Sequence, residues 1–103
     1  MEIIKKLSNM ISEEIKDAKK YASCAVKYKK ERPSLGQLFY ALSGEELGHM
    51  SKLHDATVAI IEEYRKANGE PPTSMLAVYD YLYEQQIEAV EEVKVLQAMF
   101  REN

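Results

Sequence analysis

Three side chains in this sequence carry chemistry that packing alone does not explain: Glu14, Glu46 and His49. His49 lies within Leu42-Ser43-Gly44-Glu45-Glu46-Leu47-Gly48-His49-Met50-Ser51-Lys52-Leu53, midway along a helical pattern that runs from about Pro33 to Ala67. At 100° per residue, Leu35, Leu38, Leu42, His49, Leu53, Ala56 and Ile60 fall on one stripe, which predicts that His49 points into the core. Glu46 stands one turn earlier, near the same stripe. A carboxylate and an imidazole at i and i+3 on one face can grip a single metal ion. Glu45, at i−4 from His49, is the rival ligand. It lies about 60° from the stripe centre and Glu46 about 35° from it, so Glu46 is the expected partner. In the first segment Ile4, Leu7, Ile11, Ile15, Ala18, Ala22 and Ala25 recur at helical spacing. Glu14 falls within this stripe, whereas Glu13 faces away. A carboxylate among Ile11, Ile15 and Ala18 must be neutralised, hydrogen-bonded or metal-bound. Tyr21, two turns after Glu14, lies on nearly the same line. Its ring can pack in the core with a hydrogen-bonded hydroxyl, or it can bond a metal ligand and lend redox character to the site.

These residues need long helices to hold them. Glu31-Arg32-Pro33-Ser34 breaks the first helix, expected over about Ile3 to Lys30, and Pro33 suits the first position of the second. Asn68-Gly69 stops the second helix, and Pro71-Pro72 follows. Thr73 or Ser74 is expected to cap a third helix that runs to about Glu102. The fold class is therefore all-α, a single domain of three long helices spanning residues 1–103, with neighbours antiparallel across short connections. Of the 103 residues 30% are charged and 46% hydrophobic, which describes a soluble globular chain. A net charge of −3 argues against nucleic acid as a partner. No apolar run reaches the length of a membrane span, and the lone Cys24 excludes an internal disulfide or a CxxC knuckle. A cytoplasmic, reducing setting fits.

Gly44 and Gly48 interrupt the second helix and, with Ala41, Ser51 and Asp55, make a strip of small residues away from the core stripe. The strip means either tolerated flexibility or close approach by another helix. The third helix has a core stripe of Met75, Tyr79, Leu82, Gln86, Val90, Val93, Gln97 and Phe100, while Glu84, Glu88, Glu91 and Glu92 lie off it. Its inward polar residue is the amide Gln86, a poor ligand for iron. Tyr81, Val95 and Met99 form a second apolar strip, which suggests oligomerisation. His54 lies off the second helix's stripe and is expected at the surface.

With Glu14, Tyr21 and Glu46-x-x-His49 in place, the chain resembles the ferritin-like superfamily, and within it the rubrerythrin and encapsulated-ferritin branches. The shared pattern is a helix with Glu and, seven residues on, Tyr, then a short turn and a helix with Glu-x-x-His. It covers about two thirds of the chain, from Ile3 to Ala67. A single-chain ferritin-like bundle repeats this half-motif, and this chain carries it once. The resemblance therefore implies a homodimer, or a multiple of dimers, that completes a helical bundle, each copy giving Glu14, Glu46 and His49 to a shared di-iron centre. Iron is the implied metal; manganese or zinc suits the same ligands. The implied function is ferroxidase-like oxidation and handling of iron, with Tyr21 in a catalytic role. The alternative is rubrerythrin-like peroxide reduction, for which electrons would come from an external donor protein, because the four-cysteine rubredoxin domain is absent. A third reading is a helical dimer without metal, an interaction module in which the same three residues form a hydrogen-bonded cluster.

Overall fold

The computed structural model describes residues 2–102, and among them the chain forms three α-helices and no strand: α1 (Glu2–Tyr28), α2 (Pro33–Asn68) and α3 (Thr73–Arg101). The molecule measures 56 × 18 × 18 Å, and its long axis matches a 36-residue helix rising 1.5 Å per residue. The helices therefore lie side by side along their length. Ser8 meets Gln86 and Lys19 meets Glu92, so α1 and α3 run parallel, with α2 antiparallel between them in sequence. No helix among the described residues is long and apolar enough to cross a membrane.

The boundaries follow local chemistry. Pro33 opens α2, where its missing N–H costs nothing. Gly69, with φ 77°, closes it, and its N–H donates to the Arg65 carbonyl at 2.9 Å. The start of α3 differs from expectation. Thr73 is already helical, the preceding residue is Pro72, and no side chain caps the helix. The Pro72 carbonyl instead accepts the N–H groups of Met75 and Leu76.

All seven apolar residues expected in the core stripe of α1 are buried. The α3 stripe also faces inward, with Val93 fully enclosed and Phe100 buried. The stripe expected for α2 is corrected. Leu38 is 52% exposed, and His49 and Ala56 are exposed as well. The buried line of α2 is instead Gly36 and Ser43, continued by Met50 and Thr57, about 100° around the helix. The cause is a close seam between α1 and α2. Ala18, Ala22 and Ala25 on α1 let the α2 backbone approach so near that a Cβ on Gly36 would meet Lys29 Cα at 3.1 Å. Ser43 fits the seam because its hydroxyl donates to the Ala18 carbonyl at 2.8 Å and accepts from Gln97 Nε2 at 3.0 Å. Gly44 and Gly48, by contrast, face open space, with nothing near a built Cβ.

α3 covers one side of the α1–α2 pair. Phe100 stacks on Tyr40 at 4.6 Å, Tyr83 stacks on His54 at 5.4 Å, and Gln86 donates to the carbonyl and hydroxyl of Ser8. The side of α1 that bears Glu14 and Tyr21 and the side of α2 that bears Leu38, Leu42, Glu46 and His49 lie around the helices from these contacts. That opposite face is left uncovered by the described residues, and Ile3, Met10 and Leu38 are exposed on it.

Candidate metal centre

On the uncovered face α1 and α2 bring Glu14, Glu46 and His49 together. The seam explains why. Ala18 lies one turn after Glu14 and Ser43 one turn before Glu46, so their hydrogen bond sets the register that places the two carboxylates opposite each other. One ligand atom from each of the three residues lies within 4.8 Å of the other two. His49 Nδ1 is 3.3 Å from Glu14 Oε2 and 3.8 Å from Glu46 Oε2. Donors that each bind one ion at about 2.1 Å stand at most about 4.2 Å apart, so both of these distances suit ligation of a single divalent ion.

Burial differs among the three. The Glu46 and Glu14 side chains are mostly covered, whereas that of His49 is 55% exposed. The expectation that His49 points into the core is therefore wrong. His49 occupies the rim of the α1–α2 seam, because the small residues of α2, and not its leucine stripe, face α1. The Glu46 carboxyl is held above its ordinary 4.5. A hydrogen bond shared with Glu14 is the main cause, followed by burial and repulsion from the Glu14 charge; His49 opposes the shift and Asp17 adds to it. The Glu46 carboxyl in the metal-free protein is thus more readily protonated than a free one. A divalent cation at the same place relieves the same repulsion, so the donor set fits one.

Glu45 is exposed and lies outside the cluster. His54 is not the surface residue expected; it is half-buried on the α3 side against Tyr83. A cleft of about 170 Å³ opens beside this pair, lined by Ile4, Ile11 and Ile61, on the side of the molecule away from Glu14. Gln86 is tied to Ser8 on that same side. Glu84, Glu88 and Glu91 are exposed, and Glu92 pairs with Lys19 at 2.7 Å. Tyr21 is half-buried and stacks on Phe39 with ring centroids 6.2 Å apart. Two contributors had escaped sequence reading. Asp17, whose charge acts on Glu46, was findable as the i+3 neighbour of Glu14. Ser43, the register pin, looks like any helical serine until the alanines opposite it are known.

Compared with family models, curated proteins and solved structures, the chain matches none.

Proposed function

We propose that this chain is a ferritin-like di-iron carboxylate protein that handles iron, its metal centre completed when two copies join their uncovered α1–α2 faces. The observation that carries the reading is the convergence of Glu14, Glu46 and His49 on a face that α3 leaves open and that exposes Leu38 and Met10. One copy gives two carboxylates and one imidazole; two copies give four carboxylates and two imidazoles, the ligand set of the di-iron class. Four carboxylates offset the charge of two Fe(II), which makes burial between the copies tolerable. Each residue has a defined task. His49 offers Nδ1, which requires the neutral ring. Glu14 and Glu46 donate carboxylate oxygens, and the cation offsets the repulsion that raises the Glu46 carboxyl. Leu42 and Leu53, flanking the cluster on α2, exclude water once the face is covered. When bound, two Fe(II) would give one electron each to a peroxide, which with two protons becomes two waters; dioxygen is the alternative oxidant. Oxygen and nitrogen donors suit manganese and zinc as well.

A metal-free reading has its own support. The 3.3 Å contact between His49 and Glu14 links the cluster without a cation. Anaerobic Fe(II) titration followed by metal analysis separates the two. The metal reading expects one iron per chain, lost in Glu46→Ala and His49→Ala and kept in Glu45→Ala and His54→Ala. Equal retention in all four variants, or no uptake by the wild type, leaves the metal-free cluster. Admitting oxygen or peroxide to the loaded protein then tests turnover: ultraviolet absorption of carboxylate-bound Fe(III) should grow faster than in buffer, and its failure to do so refutes the ferroxidase reading.

A further inference from the structure

We propose that Tyr21, Phe39 and Tyr28 form a conduit that moves a one-electron oxidising equivalent from Tyr21, two turns along α1 from Glu14, to the surface at the α1–α2 turn. The source of that equivalent rests on the iron reading above. Tyr21 and Tyr28 are seven residues apart on α1, about 10.5 Å along the axis. Phe39 of α2 fills the interval, with its ring centroid 6.2 Å from each tyrosine and inclined by 21° and 31°. Tyr21 stands two turns after Glu14 on the same side of α1, about 10.5 Å along the axis. All three rings are half-buried. At the far end the exposed Lys27 ammonium lies 5.3 Å from the centre of the Tyr28 ring, which marks where the row meets water. The two ends are oxidisable phenols and the middle is a ring that is not, so Phe39 serves as a bridge and the charge rests on the tyrosines.

The need arises whenever one iron is bound in place of two. Hydrogen peroxide takes two electrons. Fe(II) gives one, and Tyr21 gives the other with its phenolic proton. The products are Fe(III), hydroxide, water and a Tyr21 radical. An electron then crosses from Tyr28 to Tyr21 through Phe39, Tyr28 gives its phenolic proton to water, Tyr21 regains one from water, and the radical rests on Tyr28. A small-molecule thiol finally donates a hydrogen atom to Tyr28 and leaves as a thiyl radical. Glu14, Glu46 and His49 are thereby spared oxidation.

The test loads the full chain with one Fe(II), adds one equivalent of peroxide without thiol, and maps oxidised residues by peptide mass spectrometry beside freeze-quench EPR. Oxidation should appear at Tyr28 as well as Tyr21. In Phe39→Leu, iron loading should persist while Tyr28 oxidation is lost and Tyr21 oxidation rises. An unchanged ratio of the two in Phe39→Leu overturns the proposal. If the wild type binds no iron, the metal reading has failed on its own, and the conduit is tested without metal. A ruthenium photo-oxidant on Glu14→Cys, in a Cys24→Ser background, should upon a flash oxidise Tyr21 and then Tyr28. The Tyr28 signal should vanish in the Phe39→Leu derivative; its absence in the parent, or its survival in that derivative, overturns the conduit.

Discussion

Replacing Ser43 by Ala tests which face of α2 is buried, and hence whether the candidate centre lies on an open face. Ser43 is wholly enclosed, donates to the Ala18 carbonyl at 2.8 Å and accepts from Gln97 Nε2 at 3.0 Å. Ser43→Ala removes the acceptor and leaves the partly buried Gln97 amide unpaired there, a cost of about 1–3 kcal/mol. Gln97→Met leaves the Ser43 hydroxyl still bonded to Ala18 and should cost about 1 kcal/mol. In the double variant both polar partners are gone, so its cost should fall short of the sum of the singles by at least about 0.5 kcal/mol. Leu38→Ala is the control. Leu38 is 52% exposed, and in metal-free protein dilute enough to be monomeric the change should stay within about 0.5 kcal/mol. Urea unfolding measures these differences, and each kcal/mol should move the thermal midpoint by roughly 4–8 °C in a domain of this size. The opposite ranking, with Leu38→Ala costing about 2–5 kcal/mol as a core leucine would and Ser43→Ala costing nothing, refutes the packing described.

Further outcomes follow from the same geometry. Glu46 holds its proton above the ordinary 4.5 in the folded chain, so the folded state binds more protons than the unfolded one between that value and the raised one. The stability of the metal-free protein should therefore fall as pH rises through that window and stay lower above it, and Glu46→Gln, which keeps a donor toward Glu14 without the charge, should flatten the profile of melting temperature against pH. Leu38→Glu should shift sedimentation from dimer to monomer and weaken iron binding with it, whereas a monomer that binds two irons with full affinity would contradict a shared centre. His54→Ala should cost about 0.5–1.5 kcal/mol through its lost stack on Tyr83 and leave iron uptake intact. Tyr21→Phe should keep iron bound and alter only the rate or the products of its oxidation; loss of binding would make the hydroxyl a ligand.

Much of this architecture was legible in the sequence because large apolar residues mark α1 and α3. Ile4, Leu7, Ile11 and Ile15 bury where their spacing says, and so do Val93 and Phe100. α2 was misread for a physical reason. It carries two faces, and the greasier one, through Leu35, Leu38 and Leu42, is the one α3 leaves uncovered, while the tight seam with α1 needs Gly36 and Ser43. Hydropathy reports how greasy a face is; it does not report how close two backbones come. The same error turned His49 inward and His54 outward. The grouping of Glu14 with Glu46 and His49 survived it, because both the leucine stripe and the true seam flank that corner of α2. The close-approach glycine is Gly36, which no pattern singled out, because the alanines that make it necessary lie on another helix.

The central claim, a metal held by Glu14, Glu46 and His49 and shared between two copies, is tested most directly by anomalous scattering at the iron absorption edge from crystals grown with Fe(II). The account predicts a pair of peaks beside a two-fold axis, each about 2.1 Å from a Glu14 oxygen, a Glu46 oxygen and His49 Nδ1. Peaks at other side chains, or none at these three in iron-loaded crystals, would contradict it.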